Sequence, residues 1–412
     1  MISSRTGVVI AIIALILAAG AYQAYQYVKY TPPEWLIKLV TAKSPPPALP
    51  IGDAAPIIVP QGFTAKIFSR ETPGARVMMW DQAGNLLVSE TDQGKIVALP
   101  DHEHDGIADE TITVLSGLKQ PHGILESCEA EQPCMLYVAE TDKLKSYVYN
   151  ADTFTATYQK TLATFPTGNG HFTRSLIFSP DGKKILISIG SSCNVCNETS
   201  PQRASVQSLD LVTGKMTTYA TGLRNSVFMA FDPLKPGSIW ATENGRDILG
   251  DDIPPDEINI LQPGKNYGWP ICYGQNIHDT DFDHNKYIRD PCADKTPAWI
   301  DLQAHSAALG LAFIPETGWP KDMEGDLLVA FHGSWNRSQP TGYKVVRIHL
   351  DPKTRKPIGA PIDFATGFLP SGSTDTNEAI GRPVGIIAND DGTAYISDDR
   401  AGAIYKISQA SK

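Results

Sequence analysis

Two short segments place side chains capable of proton transfer and charge neutralisation directly ahead of apolar strand patterns. In GNGHFTRSLIFSPDG the residue is His171. An imidazole there can act as a general base, because its ordinary pKa lies near neutral. As a lone loop histidine it would merely hydrogen-bond backbone. In TGLRNSVFMAFDP the residues are Arg224 and Asn225. A guanidinium offers a rigid cationic fork for a carboxylate or a developing oxyanion, although a single arginine is more often structural. Later come His305, then His332, Trp335, Asn336, Arg337 and Lys344 within AFHGSWNRSQPTGYKVVRI, and Arg382 within GRPVGI. Such residues can stack on and neutralise a flat polyanion, and they are equally at home in packing. Taken singly, none decides a function.

One stretch is rich in hard oxygen ligands. In ATENGRDILGDDIPPDEINILQPGKNYGWP, Asp247, Asp251, Asp252, Asp256 and Glu257 crowd into eleven residues beside Gly245 and Gly250. Carboxylates on a glycine-bearing loop suit Ca²⁺; a solvated acidic loop is the plainer reading. A second acidic loop, DHEHDGIADE from Asp101 to Glu110, departs from the spacing of a helix–loop–helix calcium site.

The elements that must position these residues are strands. The chain has 412 residues, 42% hydrophobic and 19% charged, which excludes a disordered chain and a polytopic membrane protein. Its 35 Lys+Arg against 45 Asp+Glu give a net charge of −10, unsuited to a nucleic-acid partner. The 34 glycines and 31 prolines signal many turns. Six segments repeat one grammar, a polar turn, a β-rich run, a second turn and another strand. They begin at Gly84, Cys134, Lys183, Gly237, Gly325 and Gly392. Starts lie roughly 50 residues apart, with a long insertion between Gly237 and Gly325, as propeller blades do. The reading is an all-β, six-bladed β-propeller over residues 61–412, with FTAKIFSR from Phe63 closing the ring against the last blade. In such a ring, loops on one face build the site.

Ahead of it, residues 1–30 form a signal anchor or signal peptide. GVVIAIIALILAAGA follows Arg5, and Tyr22, Tyr25, Tyr27, Lys29 and Tyr30 come next. Residues 31–60 form a Pro-rich linker. The expected location is the periplasm, tethered to the inner membrane or released after cleavage. The six cysteines fall into three local pairs, Cys128 with Cys134, Cys193 with Cys196 and Cys272 with Cys292. An even count in an exported chain favours disulfides. The Cys-x-x-Cys in SSCNVC could instead bind metal, but no further ligands flank it at zinc spacing.

In order along the chain, GHFTRSLIFSPDG, GLRNSVFMAFDP, TENGRD followed by DEINIL, GKNYGWP and the late arginine segment resemble the glucose/sorbosone dehydrogenase family. These are soluble sugar dehydrogenases that use pyrroloquinoline quinone (PQQ) on a six-bladed propeller. The resemblance spans about residues 60–410. It implies that His171 is the base that takes the substrate's hydroxyl proton as hydride passes to the quinone. It implies that Arg224 and Asn225 hold the quinone oxygens. The backbone carbonyls of Gly245 and Arg246 would bind Ca²⁺ at the cofactor, and the Glu257 side chain with the Tyr267 carbonyl a second, structural Ca²⁺. Arg382 falls where relatives supply an arginine to a PQQ carboxylate. Trp335, Arg337 and Lys344 lie in the region of other cofactor contacts. The chain departs from relatives in three places. His171-Phe172-Thr173-Arg174 replaces HFGG or HQGG, HGSWNR replaces a shorter lysine-bearing loop, and the carboxylate that orients the histidine falls near Ser191. Losing that carboxylate should weaken stabilisation of the imidazolium, with an acid from a different loop as one available substitute.

The implied function is PQQ- and calcium-dependent oxidation of a hydroxyl on an aldose, polyol or aldehyde hydrate. Asn197 follows Cys196, so Cys-x-x-Cys-His is missing and the electron acceptor, a quinone or cytochrome, is separate. The alternatives are a calcium-dependent lactonase, which would need carboxylates from several blades on the channel axis, and a non-catalytic binding propeller.

Overall fold

The computed structural model describes residues 17–28, 30, 45–50, 52–129, 132–168 and 170–410. The hydrophobic run before residue 17 and the linker over 31–44 lie outside these residues. Beyond residue 60, six four-stranded antiparallel sheets follow one another along the chain. Blades one to five span residues 75–115, 124–164, 174–221, 229–302 and 308–365. Blade six takes Pro383–Ala388, Ala394–Asp398 and Ala403–Gln409 from the C-terminal end, and its outermost strand, Phe63–Ser69, from the N-terminal end. Each repeat seen in the sequence is the second and third strand of one blade. The only helical turns after residue 60, among the described residues, are the short Thr91–Gln93 and Thr376–Glu378.

Local chemistry explains why the hairpins form. KILISI over Lys184–Ile189 and LLVAF over Leu327–Phe331 are runs of β-branched and large apolar residues, which pack well on a pleated surface. The turn between the first two strands carries an aspartate and a left-handed glycine. In blade one, Asp81 Oδ1 accepts the amides of Ala83 (3.0 Å) and Asn85 (2.8 Å), while Gly84 sits at φ 85°. Only glycine adopts that conformation without strain. In the loop from Asp101 to Glu110, Asp101 accepts the amides of Asp105 and Gly106, and Asp109 that of His102.

The core lies between blades. Trp240, Ile258 and Ile300 of blade four pack on Leu311, Phe313, Leu327 and Val329 of blade five. Leu87, Ile96 and Ala98 of blade one meet Leu136 and Val138 of blade two. Each such fully buried Leu, Ile or Val contributes about 1.5–3 kcal/mol relative to exposure. Val227, just ahead of Met229–Phe231, packs with Leu309 and Val384 from the first strands of blades five and six. The long insertion lies in blade four, where a two-stranded ribbon and the Cys272–Cys292 disulfide occupy the span between Asp256–Leu261 and Ile300–Leu302. Cys128–Cys134 and Cys193–Cys196 are the other disulfides.

N-terminally, residues 17–28 are helical, with Leu17, Tyr22, Tyr25 and Tyr27 exposed. Among the described residues no helix is long and apolar enough to cross a membrane. Tyr30 reaches the propeller, donating its hydroxyl to the Asp281 carbonyl at 2.7 Å and packing edge-on against Phe282.

Candidate active site at the mouth of the channel

In antiparallel blades, the start of the first strand and the end of the second emerge on the same face. His171 lies just before Arg174–Phe178, Arg224 and Asn225 just before Met229–Phe231, His305 before Ala308–Phe313 and Arg382 before Pro383–Ala388. Ser191 follows Lys184–Ile189, Gly245 follows Ile239–Glu243, His332 follows Leu327–Phe331 and Asp399 follows Ala394–Asp398. Residues scattered over more than 300 positions of sequence thus gather on one face, as Arg76 and Asp399 show (323 apart, 2.6 Å between side chains).

His171 is held from both sides. Its Nδ1 faces the carbonyl oxygen of Ser191 at 3.2 Å and the Ser191 hydroxyl at 3.1 Å, and its own amide donates to the same carbonyl at 3.0 Å. The Ser191 hydroxyl donates to the Cys193 carbonyl at 2.7 Å, so toward the imidazole it presents lone pairs. Both partners of Nδ1 accept, which puts the proton on Nδ1 and leaves Nε2 as the basic nitrogen. Among the described residues no acid contacts Nδ1; Ser191 itself supplies the orienting acceptors. Behind the ring, Arg174 and Arg203 donate to the His171 carbonyl at 2.9 and 3.3 Å. Burial, followed by the positive charge of Arg224, pushes the imidazole pKa well below 6.5, so the ring is neutral at neutral pH.

Arg224 and Asn225 adjoin it. The Ser191 amide donates to the Arg224 carbonyl at 2.7 Å. A Cβ built on Gly190 would fall 2.6 Å from both Asn225 Oδ1 and His171 Cβ; a glycine is what lets the two side chains close over that position. The Arg224 guanidinium is fully engaged. Nε donates to the Asn194 carbonyl (2.8 Å), Nη2 to Asn194 Oδ1 (2.9 Å) and Asp247 (3.0 Å), and Nη1 to the Gly245 carbonyl (2.9 Å). Asp247 also accepts from Asn336 at 3.0 Å, tying blade five to this cluster.

Arg224, Gly245, Arg246, Glu257 and Tyr267 line one small cavity together with Glu243. Its volume, about 20 Å³, suits a water or a single ion. Glu243 and Glu257 are cross-strand partners there. Burial pushes Glu243 up to about 8 and Glu257 up to about 7. Glu243 already accepts the Asn225 amide and the Ser226 hydroxyl, each at 2.6 Å, so the hard oxygen donors that fit Ca²⁺ here are the remaining lone pairs of two desolvated carboxylates. The Glu257 carboxylate accepts from the Gly274 amide and from Asn259 Nδ2 at 3.0 Å. The Tyr267 hydroxyl donates to the Ile260 carbonyl, and the Arg246 side chain pairs with Asp279, which lines the same cavity, at 3.0 Å.

A second charged group stands near Phe172. The Arg76 guanidinium lies 5.6 Å over the Phe172 ring and pairs with Asp399 at 2.6 Å. His332 donates Nε2–H to the other Asp399 oxygen at 2.9 Å. Arg382 donates to the carbonyls of His332 and Gly333 and lies over the Tyr343 ring. Burial and Arg382 push His332 down to about 4. Burial opposes ionisation of Asp399, yet His332, Arg76 and Arg382 hold its carboxyl well below the usual range. Two guanidinium groups therefore face one carboxylate and a neutral imidazole, and Arg76 Nε is buried with no partner among the described residues. That excess positive charge beside a half-buried ring fits a planar ligand bearing carboxylates, as PQQ does.

The remaining candidates are placed apart from this group. Arg337 donates to the Asp251 carbonyl and to Asp252 at 3.3 Å, clamping its loop to the acidic stretch. Trp335 is exposed. Lys344 pairs with Asp363 on the outermost strand of blade five at 2.6 Å. His305 donates Nε2–H to the carbonyls of Gly250 and Ile253. Sequence reasoning missed Arg76, Asn194 and Asp399. Arg76 had a usable signal, since it opens the first strand of blade one as Arg224 and Arg382 precede theirs.

A propeller of six blades whose channel mouth gathers an imidazole with an adjoining arginine and asparagine has the build of the quinone-dependent sugar dehydrogenases. The chain belongs to the TrAA12-like family, whose model its residues 57–410 match. It is 32% identical over 372 residues to an uncharacterised protein of Borreliella burgdorferi, covering 85% of this chain and 90% of that one. It is 27% identical over 390 residues to the pyrroloquinoline quinone-dependent pyranose dehydrogenase of Coprinopsis cinerea, covering 80% of this chain and 52% of that protein. The chain thus spans about half the length of that relative. Among solved structures, the calcium structure of the Trichoderma reesei carbohydrate-active enzyme of family AA12 superposes with a TM-score of 0.73 at 23% identity, covering 88% and 99% of the two chains. The holo PQQ domain of the Coprinopsis cinerea pyranose dehydrogenase gives 0.69 at 24%, with the same coverage. Both carry the same fold.

Proposed function

We propose that this protein is a PQQ- and Ca²⁺-dependent dehydrogenase. It oxidises a hydroxyl of an aldose, or of a related polyol or aldehyde hydrate, and passes the electrons to a separate quinone or cytochrome. The observation that carries this reading is the state of His171, with Nδ1–H satisfied by Ser191 and Nε2 left basic beside Arg224 and Asn225. The family and its pyranose dehydrogenase relative support it.

When bound, PQQ supplies the two-electron oxidant that takes hydride from the hydroxyl-bearing carbon, with Ca²⁺ as Lewis acid at its carbonyl. His171 Nε2 takes the hydroxyl proton, and Ser191 holds the ring as it becomes imidazolium. Asn225 would hold a quinone oxygen, and Arg224 would do so by exchanging one of its present acceptors for it. The carbonyls of Gly245 and Arg246 would bind the Ca²⁺ at the cofactor, and Glu257 with the Tyr267 carbonyl a second, structural Ca²⁺. Arg382 and Arg76 neutralise carboxylate charge. Trp335, Arg337 and Lys344 serve the rim at most. A lactonase reading would need carboxylates from several blades, whereas Asp247, Asp251, Asp252, Asp256 and Glu257 all belong to blade four.

The three disulfides suit an oxidising compartment, in keeping with export to the periplasm and tethering by the first 30 residues. The test is to add PQQ and Ca²⁺ to purified apoprotein and follow sugar-dependent dye reduction. Reduction that requires both additions supports the proposal, and none across an aldose and polyol panel overturns it.

A further inference from the structure

The connection between Lys184–Ile189 and Ser205–Asp210 contains no strand, yet it supplies partners to both His171 and Arg224. Its Ser191 orients the imidazole, and Ser191 is in turn fixed by the Cys193 carbonyl. Asn194, the next residue, is buried and contacts two elements of blade four. Its carbonyl and Oδ1 accept from Arg224 at 2.8 and 2.9 Å. The same Oδ1 accepts the Asp247 amide at 2.8 Å, and Nδ2 donates to the Asp247 carbonyl at 2.9 Å. The Cys193–Cys196 disulfide closes this short ring. From outside, Glu198 accepts the Ser192 amide (2.6 Å) and hydroxyl (2.8 Å).

We propose that Asn194, held by the Cys193–Cys196 disulfide, is the positioning residue that joins the His171 and Arg224 halves of the site. The inference rests on the dehydrogenase reading for its kinetic effect, but its geometric content does not. An irregular segment has backbone freedom worth about 1–2 kcal/mol per residue to lose, and a cross-link removes part of that freedom in advance. A carboxamide is suited to the task because it both accepts and donates. Alanine would leave the Arg224 fork one acceptor short and release the loop around Asp247. The disulfide acts one step further back, by fixing the Cys193 carbonyl against the Ser191 hydroxyl. Neither Asn194 nor the sulfurs need touch substrate. Small displacements of reacting groups cost rate steeply, of order 10²-fold for about 1 Å.

The test compares wild type with Asn194→Ala and with the double variant Cys193→Ser/Cys196→Ser, each in full-length protein. In the PQQ- and Ca²⁺-loaded enzyme, both variants should lose tenfold or more in kcat with KM for the sugar within about threefold. In apoprotein labelled with ¹⁵N-histidine, the His171 signals are identified by their absence from His171→Asn. They should report a single Nδ1–H tautomer in wild type and a mixture of tautomers in the double variant. The apoprotein arm stands even if the loaded enzyme oxidises no sugar, which would sink the function and leave this inference intact. Unchanged kcat in Asn194→Ala, or a wild-type tautomer in a folded double variant, overturns it. If the double variant does not fold, Asn194→Ala decides through its split between kcat and KM.

Discussion

His171 Nδ1 faces two oxygens of one residue, the Ser191 carbonyl at 3.2 Å and its hydroxyl at 3.1 Å. A backbone acceptor and a hydroxyl thus perform the orientation for which a carboxylate was expected. Because neither carries a full negative charge, they fix the tautomer while the upward pull of the Ser191 carbonyl on the ring's pKa is outweighed by burial and Arg224. Ser191→Ala removes one acceptor and leaves the other. The expected loss in kcat is less than tenfold, corresponding to about 1 kcal/mol for one neutral hydrogen bond, as steady-state dye reduction would measure.

His171→Ala removes the base itself. Turnover should fall by about 10²–10⁴-fold, the usual contribution of a positioned general base. Affinity for PQQ, followed by absorbance titration, should stay within a few-fold, since Arg224, Asn225 and Arg382 remain.

The acid limb of kcat/KM should lie below the ordinary histidine value of 6.5, because burial and then Arg224 depress the His171 pKa. Arg203 contributes in the same direction, so Arg203→Gln should move the limb toward higher pH. The linked stability has a definite sign. A ring that resists protonation in the fold but not in the unfolded chain stabilises the fold above pH 6.5, and that contribution is lost as pH falls.

Calcium should stabilise the protein through the cavity between Glu243 and Glu257. With both carboxyls pushed up, to about 8 and about 7, binding displaces protons and strengthens as pH rises from about 6 to 8. At a hundredfold excess over Kd the gain is about 2.7 kcal/mol, readable as a rise in Tm that chelator reverses. Glu257→Gln should abolish most of that rise.

Asp232 and Arg355 form a buried ion pair at 2.7 Å, with side chains 0% and 3% exposed, between blades four and five. Asp232→Ala strands the guanidinium and should cost about 3–5 kcal/mol in urea unfolding. The paired replacement Asp232→Leu with Arg355→Met should recover much of it, with PQQ binding unaffected in both.

The blades were legible because each repeat pairs two strands over one tight turn, and both the apolar runs and their turn residues are local signals. The strand from Phe63 was legible as a β-rich run, and its pairing with Ala403–Gln409 followed from the ring rather than from any local turn. His171, Arg224, Asn225 and Arg382 stood out by type and by their place ahead of first strands. Arg76 did not, since its partner Asp399 is 323 residues away and only the circular topology brings them together. The Ser191 position was singled out, but that its carbonyl and hydroxyl do the orienting was not legible, because a backbone carbonyl leaves no mark in a sequence. Lys344 and Arg337 looked suited to a ligand by charge alone, and their aspartate partners could be assigned only from the folded chain.

The pairing of Phe63–Ser69 with Ala403–Gln409 has a consequence for biogenesis. The first blade strand to leave the ribosome waits for a partner some 340 residues later, so the circle stays unlatched until Ala403–Gln409 has been made. Until that pairing forms, blade six is a three-stranded sheet whose Ala403–Gln409 edge stands open to any other strand.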